Sequence, residues 1–189
     1  MGRWEPNARG RLMQAAMELY VEHGYSQTTV AEIAKRAGLT ERTFFRHFAD
    51  KREVLFWGAG ELQDLMVSAI AEAPASARPI DAIGAALDAA GTMFQGRLEG
   101  SRRRQSIVSA NPELRERELI KLATLASAMA EALRGRGVPE PAASLAAEAG
   151  IAVFRVAFER WIEQRGEERE VADVLRESLA ELRALVAGD

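Results

Sequence analysis

Apolar residues recur along most of this chain at spacings of three and four, the period of a helix that buries one face. Leu12, Ala15, Ala16, Leu19 and Tyr20 predict a first helix over about residues 7–23, and Gly24 follows where a left-handed residue closes a helix. Thr29-Val30-Ala31-Glu32 has the form of a capping box, so a second helix starts there and runs to Ala37. Gly38 stops it, and a third short helix follows from near Thr40 to His47. Asp50 with Glu53 three residues on predicts the start of a fourth, continuing to about residue 72. Further helices are expected near residues 79–96, 101–110, 112–135, 141–165 and 168–187. Gly58, Gly60, Gly84, Gly91 and Gly96 weaken the pattern in the middle of the chain, and Arg134–Pro139 reads as a linker. Strand-like alternation is absent, and the six prolines fall at or outside helix ends. The fold class is all-α, with about nine helices.

The third helix is two-sided. On a wheel of roughly 100° per residue, Phe44 and Phe48 lie about 40° apart and mark a buried side. Arg42 and Arg46 fall opposite, flanked by Thr43 and Phe45. A short helix with a basic, hydroxyl- and aromatic-bearing outer face, preceded by another short helix and a glycine turn, is a helix-turn-helix. Ala34 is small where the two helices cross, and Ile33, Ala37 and Leu39 close the miniature core. In that motif the second helix enters the major groove of DNA.

Charge agrees in its distribution more than in its sum. The 189 residues carry a net charge of −3, but residues 1–56 hold nine Lys and Arg against seven Asp and Glu, leaving 16 and 21 for the remainder. The basic excess therefore lies at the end that holds the motif. There is no cysteine, which excludes disulfides and thiolate metal sites. No membrane-spanning run and no secretory leader are evident, so a cytoplasmic location is expected.

The run Thr28 to Thr40, followed by Arg42-Thr43-Phe44-Phe45-Arg46-His47-Phe48 and Asp50-Lys51, closely resembles the TetR family of bacterial transcriptional regulators. The Ala-Ala-X-Glu-Leu-Tyr pattern of the first helix and Gly24-Tyr25 belong to the same signature. The resemblance implies a three-helix DNA-binding domain over residues 1–56 and a ligand-binding and dimerisation domain over residues 57–189. It implies that Thr29, Thr40, Glu41, Arg42, Thr43, Phe45, His47 and Lys51 face DNA, with Lys51 on a phosphate. The wheel nominates Arg42, Thr43, Phe45 and Arg46 independently. Phe45 departs from the family, where tyrosine is more common; it gives up a hydroxyl bond to phosphate and keeps packing on sugar or a thymine methyl.

The rest of the chain is less marked. Trp57, Met66, Met93, Phe94, Ile107, Met129, Phe154, Phe158 and Trp161 are candidate liners of an apolar effector pocket, although each alone reads as ordinary core. Ala149, Gly150 and Val153, with Val171, Leu175, Ser178, Leu179, Leu182 and Val186, form the expected homodimer interface, since the last helix has an apolar face wider than one intrachain neighbour needs. Ser101-Arg102-Arg103-Arg104-Gln105 reads as a solvated helix start or as a contact to the DNA-binding domain. Arg3, Arg9 and Arg11 read as a solvated tail or as a minor-groove arm, and Glu163, Glu167, Glu168 and Glu170 as a solvated acidic run.

Enzyme motifs are lacking, and no cofactor or metal is expected. The expected partners are double-stranded DNA with a pseudo-palindromic operator, a second copy of the chain and a small-molecule effector, with no membrane. The reading is a repressor released by an apolar or aromatic ligand. A DNA-binding architectural protein without a ligand, and a small-molecule-binding helical protein with an unused DNA motif, are the alternatives.

Overall fold

The computed structural model describes residues 7–165 and 169–188. Arg3 of the basic amino-terminal segment, and Glu167 and Glu168 of the acidic run, lie outside the described residues. The described residues form nine α-helices and no strand: α1 (Ala8–Glu22), α2 (Val30–Arg36), α3 (Glu41–His47), α4 (Ala59–Glu72), α5 (Pro79–Phe94), α6 (Leu98–Ala110), α7 (Pro112–Gly135), α8 (Ala142–Glu163) and α9 (Val171–Ala187). None is long and apolar enough to cross a membrane.

The chain divides into two compact units. The first comprises residues 1–57 together with 103–118, so the segment 103–118 packs with the amino-terminal helices despite its place in the sequence. Its core gathers Leu12, Ala16, Leu19 and Tyr20 of α1, Ile33 of α2, and Phe44 of α3 with Phe48. Ile107, Val108 and Leu114 from the α6–α7 corner complete it. Burying those three side chains contributes roughly 1.5–3 kcal/mol each.

The fourth helix starts later than the sequence suggests. Asp50 does cap, accepting from the amides of Arg52 at 2.8 Å and Glu53 at 3.2 Å. Residues 51–58, however, are a run of turns, with Leu55 N–H on the Arg52 carbonyl and Phe56 N–H on that of Glu53. Val54, Leu55 and Phe56 are all buried. Three consecutive core residues span more than one face of a regular helix, so the tighter winding suits them, and α4 begins only at Ala59.

The second unit, residues 58–102 and 119–189, is built on contacts between α4 and α5, α5 and α8, α5 and α9, and α8 and α9. The glycines that weaken the sequence pattern in α5 have a packing reason. A Cβ on Gly91 would lie 2.8 Å from Ala172 Cβ and 2.9 Å from its Cα, so α9 can approach this closely only because no side chain intervenes. The expected linker is also tied down. Arg136 donates to the carbonyls of Ile70 at 3.1 Å, Ala73 at 2.7 Å and Pro74 at 2.7 Å, satisfying the orphan acceptors at the end of α4.

Candidate nucleic-acid interface

Local sequence chemistry sets the two short helices. Thr29 caps α2, accepting from the Glu32 amide at 3.2 Å, while the Glu32 carboxylate accepts from the Thr29 N–H at 2.8 Å. The bonds this carboxylate accepts from the Thr29 N–H and hydroxyl, both 2.8 Å, hold it below the usual carboxylate range. Gly38 adopts φ +66°, and Leu39 N–H turns back onto the Ala34 carbonyl at 2.8 Å. Arg11 donates to the Ala37 carbonyl at the same turn. Thr40 then caps α3, accepting from the Thr43 amide at 3.2 Å with the two hydroxyls 3.1 Å apart.

This arrangement fixes what α3 presents. Phe44 is wholly buried and Phe48 nearly so, their rings 5.4 Å apart. Glu41, Arg42 and Arg46 are exposed, Thr43 is half-buried, and Phe45 is 55% exposed with its ring edge-on to Phe44. An exposed aromatic beside two guanidinium groups has little use in a monomer, but it fits the apolar and hydrogen-bonding edges of bases. His47, the last residue of α3, is half-buried; its imidazole is held below the usual histidine range by burial, then by Arg46 and Arg9. Thr29, the α2 cap, is exposed alongside.

Lys51 is placed differently from the expected phosphate contact. Its ammonium donates to the carbonyls of Tyr25 and Thr28, both at 2.8 Å, and of Ser26 at 3.4 Å, and lies 4.4 Å from the Tyr25 ring centre. Tyr20 in turn donates to the Lys51 carbonyl at 2.6 Å. An ammonium has three protons, and these contacts occupy them. Lys51 thus fastens the α1–α2 turn to the exit of α3. Burial pushes the Tyr20 and Tyr25 hydroxyls well above the usual tyrosine range.

The second reading of the basic cluster, a contact to the amino-terminal domain, fits Arg104, which clamps residues 53–56 together with Arg117. Arg104 Nε donates to the Leu55 carbonyl at 2.8 Å, its guanidinium lies 5.0 Å from the Phe56 ring centre, and it pairs with Glu118 at 2.8 Å. Arg117 grips the Glu53 carboxylate at 2.6 and 2.8 Å. The basic cluster is therefore not a solvated helix start: Ser101 is buried, Arg102 donates to the Ile162 and Gln164 carbonyls, and only Arg103 is exposed. Arg9 and Arg11 of the basic segment are held against Trp57 and Ala37. Whole helices separate these partners in sequence, so the pairings leave no local signal.

The nine pocket candidates divide between the two units. Trp57, 42% exposed, and Ile107 belong to the first. Met66 and Met129 are wholly buried in the core of the second. Phe94, Phe154, Phe158 and Trp161 come together there as an aromatic cluster with neighbouring ring centres 5.3–6.4 Å apart, and Met93 packs on the same core. A separate open groove of about 390 Å³ lies between α5 and α9, lined by Gly84, Leu87 and Leu175 and by the paired Asp88–Arg176 and Asp81–Arg183. None of the nine candidates lines it.

The expected dimer residues face mostly inward. Val153, Val171, Leu175, Ser178 and Leu179 are buried within the unit, Leu182 packs on its core, and a Cβ on Gly150 would meet Ile83 at 2.8 Å. The wide apolar face of α9 serves two intrachain neighbours, α5 and α8. Ala149 is half-buried and Val186 81% exposed. The outward stripe of α8 runs instead through Leu145, Ala149, Ala152 and Val156, with Leu145 66% and Val156 45% exposed.

The chain matches known proteins along most of its length. Residues 12–56 match the family model of bacterial regulatory proteins of the tetR family, and residues 77–187 match that of the MftR C-terminal domain. It is 38% identical over 93 residues to the HTH-type transcriptional regulator TcmR of Streptomyces glaucescens, covering 49% of this chain and 41% of that one. It is 29% identical over 119 residues to the putative mycofactocin biosynthesis transcriptional regulator MftR of Mycobacterium tuberculosis, covering 60% and 58%. The chain thus spans about half the length of the curated relatives it matches. Its fold resembles that of the transcriptional regulator FadR from Bacillus subtilis in complex with stearoyl-CoA, with a TM-score of 0.60, 22% identity, and 95% and 98% of the two chains covered. With a capped helix-turn-helix inside the first match and a second match over residues 77–187, the chain belongs to the TetR family of bacterial regulatory proteins.

Proposed function

We propose that the chain is a homodimeric repressor whose two α3 helices occupy successive major grooves of a pseudo-palindromic operator, and which a small apolar or aromatic effector releases. The observation that carries this reading is the two-sidedness of α3: Phe44 buries it, while Glu41, Arg42, Phe45 and Arg46 project outward. Arg42 suits bidentate reading of a guanine and Glu41 suits the amino group of cytosine. Thr29, Thr40, Thr43 and His47 suit the backbone and edges around them. One such helix reads few bases, and a two-fold dimer doubles the site. The Leu145–Val156 stripe of α8 supports that dimer, since it is the apolar surface the unit leaves open on this helix.

The effector class rests on the aromatic cluster around Phe94, Phe158 and Trp161, which offers rings rather than charge to a ligand. The stearoyl-CoA complex of the FadR neighbour supports an apolar effector in this fold. Release then follows as a population shift toward a dimer whose recognition helices are misspaced.

The test is fluorescence anisotropy on the chain's own upstream intergenic DNA, across a salt series and against scrambled competitor. Competitor-resistant binding by two protomers, with a steep salt dependence, is expected. Arg42→Ala costs about 1–3 kcal/mol of discrimination at one base position. Binding that scrambled DNA competes away equally, here and on duplexes selected from a random pool, overturns the reading.

A further inference from the structure

We propose that DNA binding by this chain takes up a proton at His47, which with Arg9 seats a backbone phosphate at the carboxy-terminal end of α3. The inference rests on α3 being the DNA-reading helix and adds a proton to that reaction.

Among the described residues, two buried side-chain nitrogens have no hydrogen-bond partner, Arg9 Nε and His47 Nε2. Both belong to the first unit and both sit beside the recognition helix. Arg9 is held by the Trp57 ring, its guanidinium carbon 3.8 Å from the ring centre, and Trp57 is edge-on to Phe48, the residue after His47, at 6.3 Å. The rigid aromatic support fixes the guanidinium while leaving its Nε–H unsatisfied. A buried donor without a partner is costly, so each one calls for a specific explanation.

The field at this point is uniformly positive. The charged groups that act on His47 are Arg46 on its own helix and Arg9 on α1. On the segment that follows α3, Asp50 is taken by Arg52 and Glu53 by Arg117, while Lys51 is turned to the carbonyls of Tyr25 and Thr28. The two carboxylates of that following segment are therefore engaged by other guanidinium groups and not by Arg9, Arg46 or His47. An oxyanion is the chemistry that fits this cationic group once the Arg9 and His47 side chains turn outward to meet it, and the duplex supplies it as phosphate.

The proton follows from the sign of the field. In the unbound protein, burial and the two guanidinium groups hold the imidazole below its ordinary range, so it is neutral at pH 7. A phosphate among the three groups reverses their effect and favours the imidazolium. The bound state then holds a proton that the unbound state lacks, and affinity falls as pH rises through the interval between the two titrations. At its steepest the fall approaches about tenfold per pH unit per protomer.

Calorimetric titration of a duplex selected from a random-sequence pool, in two buffers of different ionisation enthalpy at pH 7, reads the proton count directly. Uptake approaching one proton per protomer is expected, lost in His47→Gln and unchanged in His23→Gln, the only other histidine. Arg9→Gln is expected to lower both the uptake and the salt slope, the latter by about one phosphate per protomer. A wild-type count near zero, or uptake that persists in His47→Gln, overturns the proposal while leaving the regulator reading intact. If His47→Gln does not fold, the His47 imidazole resonances of the wild-type protein decide: no shift toward imidazolium on adding the duplex overturns it. Failure of every duplex to bind overturns both readings together.

Discussion

Arg104 reaches back 49 residues to donate to the Leu55 carbonyl at 2.8 Å, with its guanidinium over the Phe56 ring and its second arm on Glu118. One side chain thus satisfies a backbone acceptor, an ion pair and an aromatic face in the DNA-binding unit. Arg104→Met keeps the aliphatic stem and removes the donors, and a loss of about 2 kcal/mol is expected from urea unfolding. A midpoint unchanged from wild type would remove the clamp from this account. The same variant is expected to weaken DNA binding, since Glu53–Phe56 follow directly on the recognition helix.

Lys51 separates a structural from a phosphate role. Its ammonium is engaged by the carbonyls of Tyr25 and Thr28, so Lys51→Met is expected to lower stability by about 1–3 kcal/mol. It leaves the slope of log affinity against log salt as it was. A slope reduced by about one per protomer, with stability unchanged, would place Lys51 on DNA instead.

Gly91 and Gly100 should respond with opposite signs to the same change. A methyl at Gly91 lands 2.8 Å from Ala172 Cβ and 2.9 Å from its Cα, and Gly91→Ala costs about 1–3 kcal/mol through overpacking of α5 on α9. Nothing lies within 4 Å of the equivalent position at Gly100 in α6, so Gly100→Ala gains up to ~0.5–1 kcal/mol. Thermal melts of the two variants check the pair, and equal shifts would contradict the packing.

The dimer reading has a clean pair of substitutions. Leu145→Glu with Val156→Glu alters exposed positions of α8 and is expected to give a folded monomer by sedimentation. Leu175→Ala empties a wholly buried site in α9 and costs about 2–5 kcal/mol whatever the state of association. A Leu145/Val156 double variant that sediments like wild type would sink the α8 interface.

What the sequence made legible was local. The Thr29–Glu32 capping box, the Gly38 turn and the split of α3 into a Phe44 face and an Arg42–Arg46 face all depend on neighbours within four residues, and the structure has them. The partners of Lys51, Arg104 and Arg136 were opaque for the opposite reason, because they are backbone carbonyls 23 to 66 residues away. A carbonyl is common to every residue and leaves no trace in the side-chain pattern. Val171, Leu175 and Leu179 misled in a third way. An apolar face is readable from periodicity, but whether another helix of the same chain or of a second copy covers it is not. Ile107 reads as a pocket liner by its large apolar side chain, whereas the α6–α7 corner carries it into the core of the DNA-binding unit.

That borrowed corner also sets a timetable for synthesis. The last residue of the amino-terminal stretch of this unit is Trp57, yet its core closes only with Ile107, Val108 and Leu114, and its compact body ends at Glu118. At roughly 5–20 residues per second, the ribosome needs on the order of 3–12 s more to deliver them. A growing chain therefore completes the core around its recognition helix only after α4, α5 and α6 have been made.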